Sequence, residues 1–408
     1  MAPPAIAALD SYSREELLAE AAVGTPLDRT KAAPSLPAHL KVAGDLDVAA
    51  KRYRTNDSVP TLAELKRAIP AHCFKPSTLR SLSYVARDFV ALAALYAGAY
   101  ATHGTKWSSL YLPFFWFFAG LFFWALFVLA HDCGHGSFSR SKTVNSIVGH
   151  TLNSFILVPY HSWRITHRDH HKNTGNYERD EIFYPMPESE YAGIKGVAKW
   201  VYSNTFFLAC FGYPIYLLRG YGNRKQNASH LSPASELFVN DVERSQVTLS
   251  VACWWVMASA LAFATFRYGA GIVAVYYGVP YLIYCTWLLV VTFLHHTEPG
   301  TMWYNSENWN YVKGNLQSVD RVYGWLENLH HDIGSSHTTH HLFSAIPHYH
   351  LREAAAAVKP LAGEMYNVSD KPVWTALWEA FAAWSQSHVI PDGTDVFAIP
   401  APTRSKAE

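Results

Sequence analysis

Apolar positions in this chain gather into long unbroken runs instead of the short alternating patterns of a soluble core. Ser108–Ala130 passes 23 residues without a charge. Val247–Phe266 and Tyr268–Leu294 are equally uncharged, the latter with Pro280 inside it. A helix needs about 20 apolar residues to cross some 30 Å of hydrocarbon, so each run predicts a membrane span. Leu82–Thr102 is a weaker fourth, interrupted by Arg87 and Asp88, which this reading puts near a water interface. Trp200–Leu218 is uncharged too, and Val144–Tyr160 is a shorter apolar run holding His150. Upstream, Thr61 and Glu64 in TLAE offer a capping box for a short helix ending near Pro70. Residues 1–58, rich in Ala, Pro and polar groups, read as a mobile N-terminal arm. Residues 59–370 read as the membrane domain, and 371–408 as a C-terminal tail, partly helical.

Composition agrees with a bilayer environment. Half of the 408 residues are hydrophobic and only 16% are charged, against roughly 25% in ordinary soluble domains. A net charge of +1 gives no field to recruit nucleic acid. The five cysteines, Cys73, Cys133, Cys210, Cys253 and Cys285, are odd in number with no CxxC pair, which predicts free thiols. The N-terminus has no basic stretch leading into an apolar one, so neither a secretory signal nor a transit peptide is expected.

The 21 histidines fix the topology. Seven fall in 131–171 and nine in 295–350. If both stretches build one site, they face one side of the membrane. Spans 82–102 and 108–130 then form one hairpin, and spans 247–266 and 268–294 a second. Trp200–Leu218 and Val144–Tyr160 are left as interfacial or re-entrant. The 131–245 loop carries 12 Lys and Arg, which by the positive-inside rule makes that face cytosolic. The expected architecture is therefore an all-α integral membrane protein, with four transmembrane helices in two hairpins and a cytosolic helical cap.

Three histidine patterns recur: HDCGH with His131 and His135, HRDHH with His167, His170 and His171, and HTTHH with His337, His340 and His341. Positions i, i+3 and i+4 share a helix face, so each can aim its rings at one point. Eight imidazoles are too many for one zinc; two metals are the natural count. An all-imidazole set suits iron, zinc, copper or nickel. Isolated residues such as His39, His72, His103, His230 and His388 read as surface or packing histidines. His150, His161, His348 and His350 are left open. Glu327 and His330 form an ExxH pair, but di-iron bundles use two such motifs, and this one stands alone.

HDCGHGSF at 131–138, HRDHHKNTG at 167–175 and HTTHHLF at 337–343 resemble the histidine boxes of membrane fatty-acid desaturases. The likeness runs from about Pro60 to Tyr366, through ILVPYHSWRITHR, ERDEIFYP, SVDRVYG and IPHYH. It is closest to the methyl-end branch of omega-3 and Δ12 acyl-lipid enzymes. The front-end branch is disfavoured by a third box beginning with His337 and by the lack of an HPGG motif. The resemblance implies that the eight box histidines are ligands of two iron ions. It adds one from LHHT, His296, with His295 as fallback. Asp132, Asp169, Asp180, Glu181 and Asp332 are the nearest carboxylates for the free ring nitrogens. It implies reductive activation of O₂ and removal of two hydrogens from adjacent methylenes of an acyl lipid. Electrons would come from a separate donor, cytochrome b5 with its reductase, at the endoplasmic reticulum membrane.

Regiochemistry is less sharply written. HDCGHGSFS, LHHT, KGNLQSVDR and HHDIG favour omega-3, whereas the five residues DIGSS between His331 and His337 are one more than that reading expects. The alternatives are a Δ12 enzyme, a bifunctional one, or a related hydroxylase or acetylenase. More distant is a zinc-dependent membrane hydrolase. A metal transporter would place its ligands inside the spans, where this chain has none convincing.

Overall fold

The computed structural model describes residues 36–196, 199–200, 205–222 and 224–402. Strand β1 (Val42–Gly44) and helices α1 (Leu46–Arg52) and α2 (Leu62–Ala68) precede the membrane domain. The capping box at α2 is formed, with Thr61 accepting from the Glu64 amide and Glu64 from that of Thr61. Among the described residues, four helices are long and apolar enough to cross a bilayer: α3 (Thr78–Thr102), α4 (Ser108–His135), α8 (Asp241–Tyr268) and α9 (Ala270–His296). Between the two hairpins lie α5 (Lys142–Phe155), α6 (Tyr160–Asn173) and α7 (Thr205–Arg219). After α9 come β2 (Met302–Tyr304), β3 (Val319–Arg321), α10 (His337–Leu342), α11 (His348–Ala362), β4 (Asn367–Ser369), α12 (Val373–Ser387) and β5 (Val396–Ala398).

Among the described residues, neither doubtful apolar run forms a helix long enough to span. Helix α7 has 15 residues and α5 has 14, about 20 Å each at 1.5 Å per residue, well short of the hydrocarbon thickness. Helix α7 packs on α9, with the Tyr213 ring against Tyr284. Residues 201–204, within the Trp200–Leu218 run, lie outside the described residues.

The arm boundary at residue 58 needs correction. Residues 1–35 lie outside the described residues, but β1 pairs in parallel with β5, and β5 pairs on its other side, antiparallel, with β2. Residues 42–44 are thus the edge strand of a sheet, and Ala49 and Tyr53 are buried with it. The tail is likewise built in: α12 packs on α9, and β5 is the middle strand. The cap is also not purely helical, since β3 and β4 form a second parallel pair.

Helices α4 and α9 form the inner pair, and α3 and α8 face outward. The inner crossing is tight at Gly120, where a Cβ would lie 2.5 Å from the Ile283 side chain. Small residues of this kind let helices approach in lipid, where packing and not water drives association. Pro280 cannot donate to the carbonyl four residues back, at Tyr276, and α9 relaxes into a π turn over Ala274–Gly278. The freed carbonyls find side-chain donors on the neighbouring helices. Tyr96 donates to Tyr276 O at 2.7 Å, and Trp116 to Val275 O at 2.8 Å. An unsatisfied carbonyl in hydrocarbon is costly, so the proline locks the bundle together.

Asp88 does not itself face water. It is fully buried, held by Arg87 at 2.7 Å and His331 Nε2 at 3.0 Å. Tyr96→Phe should leave the Tyr276 carbonyl without its donor and cost about 1 kcal/mol. A lowered melting temperature in detergent would be read by scanning fluorimetry, with Tyr100→Phe, on the exposed face, as the neutral control.

Candidate metal centre

The lengths of α4 and α9 set the depth of the site. Their 28 and 27 residues span about 40 Å, some 10 Å more than the hydrocarbon. The excess carries His131 and His135 on α4, and His296 on α9, to the cap. Helix α6 brings HRDHH and the short α10 brings HTTHH.

The nine predicted histidines converge in two adjacent groups. His131, His135, His167, His171 and His340 have ring nitrogens mutually within 4.8 Å, as do His170, His296 and His341. His337 joins the second group, its Nε2 lying 3.1 Å from His296 Nε2 and 3.0 Å from His341 Nε2. Each HxxHH helix is split between the groups. Helix α6 gives its i,i+4 pair to the first group and His170 to the second; α10 gives His340 to the first and its i,i+4 pair to the second. Where the groups meet, the His171 and His341 rings stack at 4.0 Å, 3° from parallel.

Facing ring nitrogens test the fit to a metal. His131 and His340 Nε2 are 2.9 Å apart, His167 and His171 Nε2 3.0 Å, and His170 and His296 Nε2 3.3 Å. Two imidazoles bound to one ion at about 2.1 Å stand roughly 3.0–3.4 Å apart at right-angle to tetrahedral geometry. His135 Nε2 is buried with no protein partner. The donor set therefore fits metal ions in both groups. Desolvation, then repulsion from neighbouring rings, holds His167, His171, His337, His340 and His341 well below the ordinary imidazole pKa. They are neutral, the form that binds metal.

The far ring nitrogens are held selectively. His170 Nδ1 is 2.8 Å from Asp180, whose same oxygen accepts from the Glu181 and Ile182 amides. Asp132 lies 3.4 Å from His131 Nδ1 and accepts from His348 Nδ1 at 2.9 Å. The other three proposed carboxylates turn to cations instead. Asp169 pairs with Arg168, Glu181 with Lys225, and Asp332 with Arg352. The His295 ring packs on His337 at 4.2 Å, but its nitrogens are engaged elsewhere, Nδ1 donating to the Val319 carbonyl and Nε2 against the Tyr323 hydroxyl.

Sequence reasoning missed the partners of His341 and the cap of α10. Thr174 Oγ1 and Asn315 Oδ1 each lie 3.1 Å from His341 Nδ1. They come from NTG, at the end of α6, and KGN, in the short helix Tyr311–Asn315, which cross at Gly314, where a Cβ would meet the Thr174 carbonyl at 2.2 Å. Asp320 accepts from the Thr338 amide at 2.9 Å, capping α10 from a distance, and desolvation pushes its carboxyl up to about 6. His331 and Asp332 both take positive φ, 52° and 56°. That turn aims His331 inward at Asp88 and Asp332 outward at Arg352. Among the undecided histidines, His150 and His161 bond to Ser146, Ser250 and Arg164, outside both groups. Glu327 accepts from the Tyr323 and Ser335 amides, and His330 is packed among Trp124, Trp287 and Tyr323. This ExxH pair belongs to neither group.

A two-hairpin membrane domain with two histidine groups at the cap end of its inner helices defines a polytopic membrane protein able to hold metal. A family model described as fatty acid desaturase matches residues 107–374. This chain belongs to the fatty acid desaturase family, and its members are oxidoreductases. It is 44% identical, over 83% of its length and 90% of the relative's, to a Nostoc protein named sn-1 acyl-lipid omega-3 desaturase (ferredoxin). A Synechocystis protein of the same name is 44% identical over 85% of this chain and 93% of its own. A Nicotiana tabacum omega-3 fatty acid desaturase, endoplasmic reticulum, is 44% identical over 82% and 87%.

Asp180→Asn should weaken metal retention about 10- to 100-fold, the usual effect of removing a ligand's carboxylate partner. Metal content after graded chelation measures it. Acidification acts with a definite sign. The depressed imidazoles refuse protons that the unfolded chain accepts near pH 6.5, so stability falls as pH drops below about 6.5 and is level above it. Melting temperatures from pH 8 to pH 5.5 should trace that curve.

Proposed function

We propose that the nine histidines hold two iron ions and that the protein is an omega-3 desaturase of acyl lipids. The observation carrying the two-ion reading is the splitting of each HxxHH helix between two groups of ring nitrogens. The omega-3 assignment is supported by the names of relatives 44% identical over most of their lengths.

Bound iron supplies the redox chemistry, in which O₂, two electrons, two protons and a –CH₂–CH₂– unit become a cis alkene and two waters. The chain's own residues hold and shield. Asp180 fixes the ring of His170, Thr174 and Asn315 fix that of His341, and Asp320 fixes the start of α10. On the membrane side, the Trp163 ring stacks on His167 at 4.3 Å, Phe127 meets Trp163 edge-on at 4.9 Å, and Trp124 stacks on Phe127 at 5.5 Å. This aromatic column excludes water from the hydrocarbon side. The methyl end of a membrane lipid rests near the bilayer centre, so the acyl tail must be drawn up beside α4 and α9 to reach the histidines.

The donor is a separate protein. We assign cytochrome b5 with its reductase, on the cytosolic face of the endoplasmic reticulum. The ferredoxin named for the two cyanobacterial relatives is the alternative, and reconstitution with each donor distinguishes them.

Expression in a yeast that makes oleate but no polyunsaturates, with and without added linoleate, tests the proposal by gas chromatography of fatty esters. α-Linolenate only on feeding is the expected result. Linoleate without feeding would establish a Δ12 enzyme, both products a bifunctional one, and a hydroxy or acetylenic ester a related oxygenase. His337→Ala should abolish product with protein still present. Purified protein should carry two irons; a single zinc would mean a hydrolase.

A further inference from the structure

We propose that His72, Cys73, His350 and Glu353 form a second, mononuclear metal site, separate from the histidine centre, that takes a divalent cation of the zinc class. Each contributes one ligand atom, and the four atoms lie within 4.8 Å of one another. His72 Nε2 is 2.9 Å from Glu353 Oε2 and 3.8 Å from Cys73 Sγ, and His350 Nδ1 is 3.9 Å from Glu353 Oε2. Zinc bonds of about 2.0 Å to nitrogen or oxygen and 2.3 Å to sulfur put tetrahedral ligands roughly 3.3–3.6 Å apart. These three separations bracket that range and the remaining pairs lie within 4.8 Å, so a cation fits with side-chain shifts of up to about an ångström.

The chemistry of the set is complete. One thiolate and one carboxylate neutralise a divalent charge, and two neutral imidazoles fill the remaining positions. Sulfur and imidazole together select zinc-class ions over magnesium or calcium. Cys73 is wholly buried, and burial pushes its thiol up to about 11, so metal uptake displaces a proton.

The two elements are also held in register by contacts that use none of the four ligands. His72 and Cys73 lie in the 3₁₀ turn Ala71–Phe74, ahead of α3, and His350 and Glu353 share a face of α11 at i,i+3. The Ser77 amide donates to the Tyr349 hydroxyl at 2.7 Å, the Arg80 guanidinium covers the Tyr349 ring at 4.1 Å, and Phe74 meets Phe343 edge-on at 6.0 Å. An ion there joins positions 281 residues apart. It pins the first turn of α11, whose His348 bears on Asp132 beside His131.

Cobalt(II) titration of the full-length protein in detergent tests the site, because a thiolate-to-cobalt charge-transfer band in the near ultraviolet reports a sulfur ligand. The all-nitrogen histidine groups cannot produce that band. One equivalent of cobalt should raise it in the wild type, and Cys73→Ser should abolish it. His72→Asn, at a half-exposed position that does not threaten folding, should weaken cobalt binding at least about tenfold while iron content stays at the wild-type level. No sulfur band in the wild type would reduce the cluster to an ion pair and overturn the proposal. So would a band undiminished in Cys73→Ser, or cobalt affinity unchanged in His72→Asn.

Discussion

Imidazole nitrogens brought face to face at about 3 Å in a dry pocket repel one another as lone pairs, and they repel more strongly when protonated. Eight of the nine rings are in that condition, with His135 Nε2 buried beside them, a cost that a cation between them relieves. The surrounding architecture serves to keep the rings neutral, close and unable to rotate away. Asp180, Asn315 and Thr174 hold ring nitrogens, Asp320 holds the start of α10, and an aromatic column closes the membrane side. Packed this way, the rings are preorganised for metal before it arrives.

The membrane domain supplies rigidity where this packing needs it. The inner helices outrun the bilayer, so four of their residues reach the cap as direct extensions of long helices: His131, His135, His295 and His296. A helix anchored in lipid moves little at its end, and the π turn above Pro280 is tied to α3 and α4 by Tyr96 and Trp116. The outer helices α3 and α8 mainly face lipid. Asp88, one of the buried residues on α3, reaches through His331 into the contacts behind the third histidine box.

The four spans and the eight box histidines were legible because each depends on local sequence, whereas His296 came from the resemblance and the hairpins from placing both histidine stretches on one face. A charge-free run of 20 residues has one physical outlet, and i,i+4 histidines share a face whatever surrounds them. What could not be read depends on contacts between distant segments. Asp169, Glu181 and Asp332 have the same local look as Asp132 and Asp180, and only the position of Arg168, Lys225 and Arg352 diverts them. KGNLQSVDR was visible as part of a resemblance, but nothing in it tells that Asn315 and Asp320 serve His341 and α10. His72 and Cys73 looked ordinary because their partners are on a helix far along the chain. The sheet β1–β5–β2 was invisible, since three-residue strands carry no periodicity of their own.

That small sheet has a consequence for how the chain reaches its membrane. Strand β1 is made first, and its neighbour β5 follows only after every span has been synthesised; Lys41 and Asp395, bonded beside them, are 354 positions apart. The two strands can meet only on one face of the bilayer. A chain that failed to insert one helix would leave them on opposite faces, with β1 unpaired and Ala49, Tyr53 and Val396 uncovered. An exposed strand edge and apolar surface are aggregation liabilities. The closed sheet thus ties the two ends of the membrane domain to the same side of the bilayer, which an even number of crossings satisfies.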